Sequence, residues 1–506
     1  MPSEPFTIGA RLDEAARRHG DRPALRQGDA WLSHRDVDLR ASGFALRLRD
    51  LGVGPGDRVV MALPNSAALR MVEHAIWKVG AVRVSLTPRL HPEEIAAIGT
   101  DCDAAVVVCE NAAVGPIAAR VPGRPVISPD ALLDPAPASL PSMPVAADDV
   151  AMMLYSSGTT GRPKGVEITH RMWAAQFTVA REHLPPMEPT DVVAVAAPMA
   201  HFAGSISLDY AFVGAATIPV ADFDARSFLH LADDLGATVL PMVPVILTAI
   251  TREQQRAPVP LRALRAIVYG GSSLAGPDAR DAATAFPGVL HQFYGLAEAL
   301  APVTALAPAD HDDPDLRRTA GRFTGLAEHR IVDDELHLRG DAVASRYWRN
   351  DEQTAAAFDG DGWYRTGDLV SVHPSGAVEI VGRRSDVIIT GGFNVSPGEV
   401  EAVLRLLPGI RDAVVAGTAH DRWGEGVSAF VVLDDAGLRT YSTVADLHTA
   451  VVIACRRRLA AYKSPVRTWM LDELPRNAAG KVDRRRLRSA AEAAAPSGHA
   501  DGRLHP

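Results

Sequence analysis

The stretch that constrains this chain most runs over residues 155–166 and reads YSSGTTGRPKGV. Gly158, Gly161 and Gly165, the hydroxyls of Ser156, Ser157, Thr159 and Thr160, and one lysine, Lys164, follow an apolar run over 151–155 that reads as a strand. Glycines let backbone N–H groups converge on oxyanions, hydroxyls donate further hydrogen bonds, and a lysine adds a point charge. A polyphosphate is the ligand such a set fits. It is not a Walker loop, because that motif runs G-x-x-x-x-G-K-[ST] into a helix. Here Lys164 is followed by Gly165 and then by Val166, Glu167 and Ile168, which start a second strand. The expected fold therefore hangs a phosphate-gripping loop between two strands; a ligand-free polar hairpin is the competing reading of the same residues.

At 506 residues the chain exceeds what a single core can hold, so at least two domains are expected. With 47% hydrophobic and 22% charged residues it is neither disordered nor fibrous. A net charge of −9 argues against nucleic acid as a partner, and the basic run over 481–488 (KVDRRRLR) is a local exception. Cys102, Cys109 and Cys455 are scattered without C-x-x-C spacing, which fits reduced thiols in the cytoplasm rather than a disulfide frame or a zinc site. The first residues carry charges where an export signal needs an apolar run, so no export is expected. The apolar segment over 192–220 is interrupted by Pro198, His201 and Asp209 and made polar in its middle by Gly204, Ser205 and Ser207. It reads as strand, loop, buried helix and strand rather than as a membrane span.

Helical spacing over 8–19 and 66–79 alternates with β-branched runs at 57–63, 81–86 and 104–109, the pattern of parallel sheets covered by helices. It continues through strands at 238–242 and 266–269 and helices near 245–252 and 277–286. Over 321–381 short strands separated by Gly and Asp predict compact β-structure. From 386 onward a helix over 397–407, strands at 412–417 and 427–433, and a long helix over 444–459 make a small α+β unit. The Ala-, Gly- and Pro-rich stretch from Ser489 reads as a disordered tail.

Further motifs follow the loop in order: PMAHFAG at 198–204, YGGSSL at 269–274, QFYGLAEA at 292–299, YRTGDL at 364–369, GRRSDVIITGGFNVSPGEVE at 382–401 and PRNAAGKVDR at 475–484. Together they resemble the adenylate-forming superfamily of acyl- and aryl-CoA ligases, carrier-loading adenylation domains and luciferases, with the CoA ligases nearest. The resemblance implies an α/β fold: a large N-terminal domain of helix-flanked sheets plus a small β-barrel over 1–384, and a mobile α+β domain over 385–488 hinged at Ser385. Residues 489–506 would be the tail. It also implies attack of a substrate carboxylate on the α-phosphorus of ATP, departure of pyrophosphate, and transfer of the acyl group to CoA. Because two anions must meet, neutralisation and positioning carry the catalysis.

By resemblance, the loop from Ser156 through Ser157, Gly158, Thr159, Thr160 and Gly161 to Lys164 holds the β- and γ-phosphates, and Glu298 with Thr160 places Mg²⁺ as hard oxygen ligands. Tyr294, between Phe293 and Gly295, lies against the adenine, with Gly270, Gly271 and Ser272 on its other side. Asp368 accepts both ribose hydroxyls, Arg383 contacts ribose or phosphate, and Lys481 bridges the carboxylate and α-phosphate. His201 gates an acyl pocket shared with Phe202 and Gly295. Gly391 and Gly392 line a pantetheine tunnel and Trp423 stacks on the CoA adenine. The implied catalytic set is Lys481, Glu298, Lys164 and His201.

Each residue taken alone has a plainer reading: Glu298 a solvated carboxylate, Asp368 an Asx turn, Lys481 a surface charge, His201 a core histidine, the Gly391–Gly392 pair a hairpin turn, Trp423 a core aromatic. The ordered set outweighs these. Two positions depart from the family pattern: Ala297 lacks a hydroxyl that would touch phosphate, worth about 1 kcal/mol, and Ser385 stands where the hinge usually has Asp or Lys. Ala200 replaces a common bulky aromatic and reshapes the pocket. No Asp stands near Phe202 to hold an ammonium, and Asp224 lies beyond the next strand, so a hydrophobic aryl or medium-chain acid is expected rather than an amino acid. Competing readings are a carrier protein as acceptor, an oxyanion such as nitrite in place of the acid, and a nucleotide-binding pseudoenzyme. The expected assembly is a monomer or homodimer.

Overall fold

The structure is a computed structural model that describes residues 6–129, 134–157, 163–272, 274, 276–390, 393–420, 423–477, 481–494 and 504. The chain divides into two units: one of Met1–Arg330, His337–Thr366 and Val372–Glu379, the other of Ile331–Leu336, Gly367–Ser371 and Ile380–Pro506. That boundary falls slightly before Ser385 and assigns two short earlier segments to the second unit.

The first unit holds two large sheets. One has nine strands in the order Arg322–Phe323, Thr304–Leu306, Leu290–Tyr294, Ala266–Gly270, Val239–Met242, Val192–Val195, Ala216–Pro219, Pro23–Gln27, Ala30–Ser33. Its centre is parallel, as continuous apolar strands flanked by helices require. The other has six strands in the order Val126–Ile127, Ala104–Cys109, Arg58–Ala62, Val82–Leu86, Val150–Ser157, Pro163–Thr169, parallel until its last pair. Segment 192–220 folds as strand Val192–Val195, helix Phe202–Phe212 and strand Ala216–Pro219, as its interruptions foretell. Among the described residues no helix is long and apolar enough to cross a membrane. Asp224, set aside above as an ammonium ligand, caps the helix Ala225–Asp234 by accepting the Ser227 N–H.

Three helices of this unit are tied by one buried cation. Lys78 is fully buried and gives its ammonium to Asp13 Oδ1 at 2.7 Å, Asp38 Oδ1 at 2.7 Å and the Leu140 carbonyl at 2.6 Å. Asp13, Asp38 and His74 would otherwise resemble a metal-ligand group, but the cation in their midst is the lysine.

The compact β-structure expected over 321–381 is a four-stranded sheet, Glu328–Val332, Glu335–Arg339, Tyr364–Val372 and Val378–Arg383, standing where the resemblance implied a small barrel. The second unit is built on the long hairpin Ile410–His420 and Gly424–Leu433; the free edge of Gly424–Leu433 takes Arg467–Leu471 in parallel along most of its length and, at Gly424, the short hairpin Ile388–Thr390 and Phe393–Val395. Val400, Leu404, Leu447 and Val451 of helices Pro397–Leu404 and Val444–Arg458 belong to one core, and Phe430, Trp469 and Leu487 to another. The expected disorder from Ser489 is corrected at its start: the helix Arg484–Ala494 runs six residues past that point because Leu487 and Ala491, one turn apart, are both buried.

Candidate functional site

The loop singled out from sequence is carried by an antiparallel ladder in which Ser156 faces Lys164 and Ser157 faces Pro163. This is strand, loop, strand, not strand, loop, helix. Gly158, Thr159, Thr160 and Gly161 lie outside the described residues, as do the side chains of Ser156 and Ser157.

Lys164, at the loop's exit, meets Glu298 at 3.0 Å. Both converge on a third residue: the Tyr347 hydroxyl donates to Glu298 Oε1 at 2.7 Å and accepts from Lys164 Nζ at 2.6 Å. Lys164 also stands 3.9 Å from the centroid of the Tyr347 ring. Backbone pairings hold this arrangement, since Val166 bridges Tyr347 and the Glu298 carbonyl accepts the Ala344 N–H at 2.8 Å. Burial works to raise the Glu298 pKa, but the Lys164 charge and the Tyr347 hydrogen bond outweigh it and hold the carboxyl below its ordinary range. A buried carboxylate kept ionised beside a cation is the donor a hard divalent ion takes, so Glu298 fits Mg²⁺. Thr160, the other expected ligand, lies outside the described residues.

The expected adenine wall is built where two parallel strands end. Gly270 pairs with Phe293, and a methyl group at Gly270 would stand 2.4 Å from the Phe293 carbonyl oxygen and 3.2 Å from Phe202 Cζ. Only glycine permits that approach, which brings Phe202 of the expected acyl pocket to the strand ends. Gly271 follows with φ +87° and Ser272 is exposed. Phe293 is buried, Tyr294 is half-buried, and a side chain at Gly295 would strike the Ala301 backbone nitrogen at 2.7 Å.

His201 is half-buried at the N-terminus of helix Phe202–Phe212. Its loop is fixed by residues that sequence reasoning missed. Asn65 Nδ2 donates to the carbonyls of Val195, Ala197 and Val220, and its Oδ1 accepts the Met199 N–H at 2.8 Å. Behind the loop lies a buried ion triad in which Glu73 meets Arg70 at 2.7 Å and Arg83 at 2.9 Å. Arg83 donates to the Ala200 carbonyl at 3.4 Å, and Arg70 to the Gly204 carbonyl at 3.3 Å and Ser207 Oγ at 2.6 Å.

In the second unit Asp368 is buried and Arg383 Nε meets its Oδ1 at 2.5 Å, so Asp368 is no simple turn residue. Ser385 is exposed in the short turn of helix Arg384–Asp386. Lys481 is exposed; its backbone N–H donates to Asn477 Oδ1 at 3.0 Å and its carbonyl accepts the Asn477 N–H at 2.8 Å. Trp423 is 38% exposed and stacks on His420 at 4.4 Å, not in a core. Gly391 and Gly392 lie outside the described residues.

A family model for the AMP-binding enzyme matches residues 12–348, and one for the AMP-binding enzyme C-terminal domain matches 399–481. The chain belongs to the AMP-binding enzyme family. This AMP-binding enzyme is 31% identical to a CoA ligase for a methyl-dioxo-octahydroindenyl propanoyl group from Rhodococcus jostii, over 96% of the chain and 99% of the relative. It is also 31% identical to the fatty acid–acyl-carrier-protein ligase ScoC of Streptomyces coeruleorubidus, over 92% of the chain and 93% of the relative. Among solved structures, the o-succinylbenzoate CoA synthetase of Bacillus subtilis, in complex with its acyl-adenylate intermediate, superposes with a TM-score of 0.84 at 26% identity, covering 95% of this chain and 98% of that one.

Proposed function

We propose that this AMP-binding enzyme is an AMP-forming acid–thiol ligase that adenylates a hydrophobic carboxylic acid with ATP and Mg²⁺, releases pyrophosphate and passes the acyl group to CoA. The observation that carries the reading is the Lys164–Glu298–Tyr347 constellation at the exit of the Gly-rich loop. A cation meets the phosphates, an ionised buried carboxylate meets the metal, and a phenol fixes the two against each other. Mg²⁺, when bound there, supplies charge neutralisation for the departing pyrophosphate. Asp368 with Arg383 serves the ribose, Lys481 the carboxylate and α-phosphate, and His201 with Phe202 the acid. Gly391, Gly392 and Trp423 serve CoA, with Ser385 as the hinge between half-reactions. Relatives named as CoA ligases support the acceptor. The acid is aryl or medium-chain, because the sequence puts no Asp beside Phe202 for an amino group and has Ala200 where a bulky aromatic is common.

The 31% identity to ScoC favours a second acceptor, a carrier protein, after the same adenylation. A cytoplasmic setting suits Cys102, Cys109 and Cys455, all free and buried, with burial pushing the Cys102 thiol up to about 12. Incubation with ATP, Mg²⁺, CoA and a mixed panel of aryl and medium-chain acids, read by mass spectrometry, names acid and acceptor together. Acyl-CoA is the expected product. ATP cleavage to AMP with acyl transfer to a carrier protein alone would select the second reading, and no AMP with any acid would overturn both.

A further inference from the structure

The Asp368–Arg383 pair does not stand by itself. Glu335 is 7% exposed and uses both carboxylate oxygens on the segments that carry that pair. Oε1 accepts the backbone N–H of Gly367, the residue before Asp368, at 2.9 Å. Oε2 meets Nε of Arg384, the residue after Arg383, at 2.6 Å, and Arg384 donates a further hydrogen bond to the Asp333 carbonyl at 2.9 Å. Gly367, inside the strand Tyr364–Val372, has φ +72°, a conformation that glycine adopts freely, and Glu335 accepts its N–H at the point where the chain enters Asp368. The Val370 N–H, donated to the Asp334 carbonyl at 2.8 Å, fixes the far side of Asp368 to the same segment.

We propose that Glu335 is a positioning residue for nucleotide ribose recognition, bracing Asp368 through Gly367 and Arg383 through Arg384. The proposal rests on the reading of Asp368 and Arg383 as the ribose contacts. An aspartate that must accept two ribose hydroxyls at once has to be aimed before the nucleotide arrives. The 45% exposed side chain of Arg383 would otherwise lose rotamer freedom on binding. One carboxylate holding both flanks removes that ordering from the binding step. A residue that merely satisfied a buried N–H would need one oxygen, not two.

Acid-dependent pyrophosphate release is measured with ATP and with 2′-deoxy-ATP for wild type, E335A, E335Q, R384M and D368N. Loss of a charge-assisted hydrogen bond network at E335A is expected to lower kcat/KM for ATP by at least about tenfold and for 2′-deoxy-ATP by much less, leaving KM for the acid unchanged. The preference for ATP therefore shrinks. E335Q and R384M, which each spare the Gly367 N–H acceptor, are expected to fall between wild type and E335A. The outcome that overturns the proposal is an ATP preference held at the wild-type value in E335Q and R384M, with D368N lowering it. If E335A does not fold, those two variants decide. If D368N itself leaves the preference untouched, the ribose reading of Asp368 is what fails.

Discussion

Replacing Tyr347 by Phe removes one oxygen and leaves the ring. That hydroxyl is the point where Lys164 and Glu298 are held together, at 2.6 and 2.7 Å. Each bond has one charged partner and is worth about 1.5–3 kcal/mol. The direct Lys164–Glu298 contact at 3.0 Å survives, and Lys164 keeps the ring face 3.9 Å from its ammonium. These retained contacts offset part of the loss, so a net cost of about 2 kcal/mol in transition-state stabilisation is expected, roughly a thirtyfold fall in adenylation rate. The Phe358 packing partner, 6.1 Å away by ring centroids, is unaffected by the change, so the fold is retained. The assay is acid-dependent pyrophosphate release, run beside thioester formation from purified acyl-adenylate, which needs no triphosphate grip and is expected to stay within about twofold of wild type. Adenylation by the variant within about threefold of wild type, or an equal loss in both half-reactions, would refute the assigned role.

Asp209 is wholly enclosed, and burial raises its pKa from 3.8 to about 7 against the hydrogen bonds it accepts from Gln176 and Trp173. Since its folded pKa lies above the unfolded one, its contribution to stability is complete below the unfolded value and is lost as pH rises through about 7. Thermal melts of Asp209→Asn should therefore be flatter than wild type across this window and higher at alkaline pH. The Gln176 amide, whose Oε1 has no partner, can turn to accept from the new Asn; an unchanged pH profile would exclude Asp209 as the source. Glu73→Gln strands two buried guanidinium groups and is expected to cost about 3–5 kcal/mol, read as a lowered melting temperature. In enzyme that still folds, KM for the acid should rise more than KM for ATP, because Arg70 and Arg83 brace the loop around His201. Chelation of Mg²⁺ should abolish pyrophosphate release and its return should restore activity, whereas full turnover in chelator would remove Glu298 from a metal role.

The architecture was largely legible because its signals are local. Helical spacing alternating with short β-branched runs outlines the α/β architecture, and the glycine-rich motifs fall where the backbone needs glycine, for a close approach at Gly270 and a positive φ at Gly367. Lys164, Glu298, Asp368 and Arg383 were identified as members of an ordered set, and their pairings inside each unit follow that identification. Tyr347 was missed because it lies 183 residues from Lys164 and no local pattern announces a partner at that distance. Asn65 and the Arg70–Glu73–Arg83 triad escaped for a related reason: sequence patterning assigns such polar residues to solvent, whereas packing buries the triad behind the His201 loop and sets half-buried Asn65 on that loop's backbone. The tail was misread at its start because composition spoke for disorder, although Leu487 and Ala491 already carried a helical apolar stripe.

The central claim is that the acid's own oxygen attacks the α-phosphorus of ATP. An accepted acid labelled with oxygen-18 in its carboxylate, turned over with ATP, Mg²⁺ and CoA, tests it directly. One labelled oxygen should appear in each AMP and the other in the thioester carbonyl of acyl-CoA, with unlabelled pyrophosphate formed in equal amount. Label in inorganic phosphate with ADP as the nucleotide product, or AMP free of label, would contradict the account.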